Sequence, residues 1–403
     1  MAAREVVVLG AARTPIGRYG GAFKDVHPAE LGAVAARAAL ERAGVPADEV
    51  DEVIMGHARQ AGSGPNAARQ VGHRAGVPVT TPAQTINKAC ASGLQAIAAA
   101  AQSILLGESE CVIAGGIESM SRMPYLIESS DSRWGHRMGH FPLVDAMHRD
   151  GFHDPLSNLI MGETAEILAR QYGITREQSD QFALESQRKA EAAQKAGYFA
   201  QEIASVSVPA AQGGAPVVVD TDEHPRHGTT LEALAKLPPV FPNVEGHPGI
   251  ITAGSSSGIT DGGAALVVAS DQWAADRGLM PLARITGWAS AGVEPRLMGI
   301  GPVPAIEKLH QRSGLDMSCF DLIELNEAFA AQVLAVLRDV DIPRDKLNVN
   351  GGAIALGHPI GCTGARIVVT LLHEMQRRGV SGGLATLCVS GGMGMAMAFE
   401  TVS

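Results

Sequence analysis

Short apolar runs bounded by glycine alternate along the chain with longer alanine-rich stretches whose apolar residues recur three and four positions apart. The first pattern predicts buried strands and the second amphipathic helices, so their alternation predicts an α/β layered fold. Strands are expected at 5–9, 52–55, 111–114, 265–269, 283–287, 322–324, 347–349, 385–389 and 395–400. Helices are expected at 29–43, 93–106, 164–172, 175–196, 302–313, 328–337 and 364–378. The strands hold few charges, which predicts a sheet covered on both faces.

The pattern occurs twice. A strand and polar turn at 85–91, a helix from Ser92 and the apolar segment 111–116 are matched by a turn at 348–362, a helix from Thr363 and the apolar segment 384–392. Two copies at this spacing predict a duplicated domain rather than a solenoid. Between them, about 121–251 differs in composition, with four histidines from His136 to His153 and a proline-rich stretch at 238–248. The expected division is therefore 1–121 with 252–271 as one half, 122–251 as an inserted loop domain and 272–403 as the other half.

Composition narrows the function. With 403 residues, 46% apolar and 18% charged, the chain can bury a large core, which excludes a disordered protein. The net charge of −10 opposes nucleic acid and anionic lipid, so an anionic ligand needs a local basic patch. Five scattered cysteines with no CxxC or Cys/His pair at zinc spacing predict neither a disulfide framework nor a metal site. Those thiols fit a reducing compartment, and a chain that enters a strand within a few residues, with no spanning segment, is expected in the cytoplasm.

Candidate chemistry sits where glycine-rich turns precede helices. Cys90, in Asn87-Lys88-Ala89-Cys90-Ala91-Ser92-Gly93, lies between a strand and a helix, where free N–H groups and the dipole are expected to lower a thiol pKa. His358 is aimed by Gly357, Pro359 and Gly361, while Cys388 ends a buried strand before Ser390-Gly391-Gly392. Asn326 precedes a helix, either as an N-cap or as an amide that holds a water. Gly254-Ser255-Ser256-Ser257-Gly258 has the spacing of a hydrolase nucleophile elbow, but a strand rather than the required helix is expected after it.

Taken in order, the blocks around Cys90, Asn326-Glu327-Ala328-Phe329, Asn350 to Arg366 and Cys388 to Gly394 resemble the four active-site blocks of the thiolases. The resemblance runs from Arg13-Thr14-Pro15 to Gly394 and implies a five-layered αβαβα fold of two duplicated halves with an inserted loop domain. It implies acetyl-CoA C-acyltransfer through acyl-Cys90, with His358 as its base, Cys388 as base at the α-carbon, and Asn326 and the Ser390 N–H stabilising oxyanions. CoA and acyl-CoA are then substrates, with no prosthetic group, and a homodimer or homotetramer is implied. Arg226 resembles the adenine-nucleotide contact, Phe241 the cover over the pantetheine, Ala253, Gly254 and Ser257 the pantetheine track, and Met161 and Met298 the acyl end. Arg133 and Arg137 would supplement the basic patch.

One departure stands out: Ser390 occupies a position where the family usually has glycine, which raises the question of a positive φ. Ile160, where acetoacetyl-forming members often have histidine, points to longer acyl chains. A ketoacyl-synthase-like enzyme would carry a Cys-His-His set, which Asn326 and Cys388 oppose, and the intact Cys90, His358 and Cys388 oppose a non-catalytic acyl-CoA or lipid-binding protein.

Overall fold

The computed structural model describes residues 4–128, 132–210 and 214–402. Its main sheet contains β1 (Val6–Arg13), β2 (Glu52–His57), β3 (Ala83–Ile86), β4 (Cys111–Ser119), β5 (Thr260–Ser270), β6 (Ala283–Gly292), β7 (Leu322–Leu325), β8 (Gly382–Val389) and β9 (Met393–Glu400). The strand order is β7-β8-β9-β6-β1-β5-β4-β2-β3, with a two-residue strand at Gly17–Arg18 added to β5. The helices that matter here are α1 (Pro28–Ala43), α2 (Ala67–Ala75), α3 (Ser92–Leu106), α4 (Met161–Gln171), α5 (Arg176–Lys195), α6 (Pro302–Ser313), α7 (Ala330–Asp339), α8 (Ala353–Leu356) and α9 (Ile360–Arg378).

The duplication is visible in the pairing. Outward from the short β1–β6 junction, made by Val7 and Val8 alone, one side runs antiparallel to β5, antiparallel to β4, then parallel to β2 and β3. The other side runs from β6 antiparallel to β9, antiparallel to β8, then parallel to β7. Where the fifth strand of that side belongs there is a single parallel bridge, Ile323 to Leu347. The strand expected at 347–349 is thus reduced to one contact, because Asn348 takes a left-handed φ of 42° and turns the chain away.

Alternation along the strands assigns each face to a different core, as the two-residue side-chain period requires. Ala264, Leu266 and Val268 of β5 join Leu94 and Ile97 of α3 and Val368 and Leu371 of α9 in a central core. Ala265, Val267 and Ala269 face the other way, onto Ala36 and Leu40 of α1 and Val71 of α2. On the second side Met395, Met397 and Phe399 of β9 enter the central core, while Ala396 and Ala398 pack with Leu309 of α6 and Val333 of α7. The result is five layers: α1 and α2, sheet, α3 and α9, sheet, α6 and α7. The segment Ala89–Leu106, containing α3, is apolar enough to cross a membrane by composition, yet 67% of it is buried inside the protein as the central helix.

The two central helices touch through glycines at matching places in the repeat. A Cβ on Gly93 would stand 2.7 Å from the Ala365 nitrogen, and one on Gly364 would stand 2.4 Å from the Leu94 nitrogen. Backbone cannot yield as a flexible side chain can, so Gly364→Ala must push α3 and α9 apart. We expect it to cost about 1–3 kcal/mol, the usual range for overpacking. Urea denaturation would read this as a lowered midpoint, and an unchanged midpoint would mean that the helices separate freely.

Residues 120–259 join β4 to β5, and from this connection α4 and α5 pack on the second side. Phe182 and Leu184 of α5 enter the α6/α7 core, and Leu168 and Ala169 of α4 pack on Ala331 and Ala335 of α7. Glu327, fully buried, ties three segments together. Its carboxylate accepts from the Ser186 hydroxyl (2.6 Å), Asn348 Nδ2 (2.8 Å) and the Ile354 N–H (3.2 Å). This fixes the turn that leads into His358.

Candidate active site

The fold brings the turn before α3, the turn before α9 and the β8–β9 hairpin to one cavity of 540 Å³, which Cys90, His358, Cys388 and Ser390 all line. Each is aimed by local backbone. Ala89 takes a left-handed φ of 45°, a strained conformation for a residue with a Cβ. The turn is locked from both sides: the Ser92 hydroxyl donates to the Ala89 carbonyl (2.6 Å) and accepts the Lys88 N–H (2.9 Å). Gly357, at φ 102°, turns the chain so that the His358 N–H donates to the Gly258 carbonyl at 3.0 Å.

The His358 side chain has a defined tautomer. Thr363 Oγ1 lies 2.6 Å from His358 Nδ1 and 3.0 Å from the Pro359 carbonyl. Its one hydrogen goes to the carbonyl, so the hydroxyl accepts from Nδ1–H and leaves the Nε2 lone pair free as a base. Burial, with the charges of Arg366 and Arg59 adding, holds this imidazole down to about 3, so it is neutral at any working pH.

Cys90 departs from the sequence expectation. Its thiol is pushed above the ordinary value because burial outweighs the groups that stabilise the thiolate, namely Arg59 and the N–H groups of Ser390 and of Cys90 itself. Proximity to the first turn of α3 is real, but the loss of water is the larger effect. Cys388 is pushed up as well, first by burial and then by the neighbouring Cys90. Cys362, in the first turn of α9, is raised to about 12 by burial and does not line the cavity.

Ser390 answers the question raised by its glycine-like position. The left-handed angles of the hairpin fall on Gly391 (φ 82°) and Gly392 (φ 80°), not on Ser390. Its N–H still reaches the Cys90 sulfur, so the substitution leaves the backbone donor in place.

The other expected contacts divide. Arg226, Phe241, Ala253, Ser257, Met161 and Met298 line the cavity. Met298 packs on Cys388 with Ala328, and Met161 and Phe329 pack against that cluster. Gly254 does not line it: a Cβ there would meet Leu234 and Leu237, so this glycine serves packing of the loop. Asn326 is buried behind the wall rather than on it, and it is no N-cap, since α7 begins at Ala330 with Phe329 as its cap. Among the described residues neither its Oδ1 nor its Nδ2 has a hydrogen-bond partner. Arg133 and Arg137 are exposed and do not line the cavity. The Gly254–Gly258 run leads into β5, as expected, not into a helix.

Arg18 and Arg59 were not anticipated. Arg18 is exposed at the cavity, like Arg226, and neither makes an ion pair among the described residues. Arg59 is buried beside Cys90 and His358. The repeat gives no warning of either residue, since neither lies in one of the four blocks.

Comparison with known proteins identifies the family. The thiolase N-terminal domain matches residues 6–272 and the thiolase C-terminal domain residues 279–401. The chain belongs to the thiolase family. It is 51% identical to an acetyl-CoA acetyltransferase of Cupriavidus necator, over 98% of this chain and 99% of that protein. The Bacillus anthracis acetyl-CoA acetyltransferase superposes with a TM-score of 0.95 at 47% identity, covering 100% of both chains. Human mitochondrial 3-ketoacyl-CoA thiolase in complex with CoA superposes with a TM-score of 0.93 at 44% identity, over 99% of this chain and 98% of that one.

Proposed function

We propose that this enzyme is an acyl-CoA:acetyl-CoA C-acyltransferase that works by a ping-pong mechanism through acyl-Cys90. The observation that carries the reading is the meeting of Cys90, His358 and Cys388 in one largely apolar cavity whose exposed arginines suit a phosphate-bearing ligand. The names of its relatives support acetyl-CoA as one partner in the reaction.

In the first half, His358 Nε2 takes the Cys90 proton as sulfur attacks a thioester, and CoA leaves. In the second, Cys388 removes a proton from the methyl carbon of acetyl-CoA, and the resulting carbanion attacks the acyl-Cys90 carbonyl and expels the Cys90 sulfur, which recovers its proton through His358. The N–H groups of Cys90 and Ser390 stabilise the first oxyanion. A water on the unpartnered amide of Asn326, with His358, stabilises the enolate. Arg226 and Arg18 take the nucleotide phosphates, Phe241, lying on Gly162, covers the pantetheine arm, and Ala253 and Ser257 line its track. The same steps in reverse cleave a 3-ketoacyl-CoA. CoA thioesters are the substrates, and the chemistry requires no prosthetic group.

The division that fits this chemistry gives Cys90 to 1–121 with 252–271, CoA contacts to 122–251, and His358 and Cys388 to 272–403. Exposed Tyr125, Trp134, Met138 and Leu156 on the inserted region support self-association into a homodimer or homotetramer. Five free cysteines support a reducing, cytoplasmic setting.

Alkylation tests the reading. With its thiol raised, Cys90 is mostly protonated at neutral pH, so its iodoacetamide rate is expected to climb beyond pH 9 rather than level off near 7. Acetyl-CoA should protect Cys90, as mapped by mass spectrometry. Labelling that acetyl-CoA leaves unchanged would remove Cys90 from the reaction.

A further inference from the structure

The acyl group carried by Cys90 is the open variable of this reaction, and Arg59 bears on its chemistry. Arg59 leaves β2 on the bend after His57, and its side chain lines the cavity while only 8% exposed. The preceding Ala58 belongs to the cluster against which Cys90 packs. The Arg59 N–H donates to Glu118 Oε1 (3.1 Å) and its Nη2 donates to the Gly151 carbonyl (2.6 Å). Its Nε has no partner, and among the described residues no protein acceptor takes Nη1 and no carboxylate pairs with the guanidinium. Glu118 is committed elsewhere: Oε1 accepts the Arg59 backbone N–H and Oε2 the Gly361 N–H (2.8 Å), with His57 Nε2 3.2 Å from Oε1 but not hydrogen-bonded to it.

A buried guanidinium without a paired carboxylate is costly, and here Glu118 bonds the Arg59 backbone rather than its side chain, while Cys90 and His358 are both neutral in the resting site. The cations at the other positions of the cavity, Arg18 and Arg226, are exposed and suit phosphate. Arg59 is the buried cation beside the nucleophile.

We propose that Arg59 receives a carboxylate at the far end of the acyl group on Cys90, so that the preferred substrates are 3-ketoacyl-CoA thioesters ending in a carboxylate. This rests on Cys90 as the acylated nucleophile. In thiolysis Cys90 Sγ adds to the C3 carbonyl and the C2–C3 bond breaks. Its electron pair takes a proton at C2, which releases acetyl-CoA. The shortened acyl group stays on sulfur with its carboxylate against Arg59 until the CoA thiol displaces it. The proton lost by that thiol replaces the one taken by the methyl group. A guanidinium presents charge and directed N–H donors to a carboxylate, and a methyl terminus in the same place leaves both unused.

The test compares 3-oxoadipyl-CoA with 3-oxohexanoyl-CoA, six-carbon chains ending in carboxylate and methyl. We expect wild-type kcat/KM to favour the carboxylate at least tenfold, Arg59→Met to lower that ratio at least tenfold, and Arg59→Lys to keep part of it. A wild-type ratio at or below one overturns the proposal without any variant. A ratio unchanged in Arg59→Met, with both substrates losing equally, also overturns it and puts Arg59 behind the Cys90 thiolate. Failure of the wild type to cleave even acetoacetyl-CoA would instead defeat the acyltransfer reading beneath it.

Discussion

Cys90→Ser is expected to fold as the wild type does and to lose about 10⁴-fold or more in kcat/KM for acetoacetyl-CoA thiolysis, the scale on which removal of a covalent nucleophile acts. The reason lies in how poorly the resting pair is poised for proton transfer. His358 is held down to about 3 by burial and by two arginines, while burial raises the Cys90 thiol. Transfer from sulfur to imidazole is therefore uphill in the free enzyme, and it becomes possible only when charge moves onto the substrate oxygen. A hydroxyl is several units less acidic than a thiol, and each further unit costs about 1.4 kcal/mol, or tenfold in rate. The serine enzyme has no compensating base, since His358 is already at the weak end of its range. Turnover within tenfold of the wild type would show that another group carries the acyl chain.

Much of this site was legible because its polar chemistry lies in turns, where glycine and proline advertise themselves. Cys90, His358, Cys388 and Ser390 line one cavity, as their motifs suggested. What escaped the sequence was burial. Nearness to a helix N-terminus is visible in the residues around Cys90, whereas the exclusion of water that reverses its thiol shift is a property of five packed layers. Arg59 was missed for the same reason: no motif surrounds it, and only the fold shows a buried cation lining the reacting end. The start of α9 was placed four residues late because Gly361 reads as a turn. In the structure it is helical, and glycine is required there because a Cβ would stand 2.6 Å from the Ala58 nitrogen and 2.7 Å from the Ile117 carbonyl. α2 was overlooked because Ala67–Ala75 is short, polar and interrupted by Gly72. Gly254 differs in the opposite sense: it stands in a site-like run, yet it lies off the cavity wall, and a Cβ there would meet Leu234 and Leu237.

Cys388→Ala is expected to separate the two half-reactions. Acetyl-CoA should still place an acetyl group on Cys90, read by intact-mass spectrometry, while condensation to acetoacetyl-CoA falls by about 10³-fold, within the range for a general base. Deuterium exchange from solvent into the methyl group of acetyl-CoA should vanish with it. The structure supplies a reason for the order of events. The buried Cys388 thiol is raised first by loss of water and next by the charge of a Cys90 thiolate. In the free enzyme the two neighbouring thiols cannot both ionise without a like-charge penalty, whereas acylation turns Cys90 into a neutral thioester and leaves Cys388 the one thiol of the pair that can ionise, just when a base is needed. Its residual elevation is then useful, because a thiolate that forms reluctantly holds a proton tightly and can take one from carbon. Methyl exchange should therefore be faster in acetyl-enzyme than in free enzyme, and exchange that proceeds equally in both would break the link between the two cysteines.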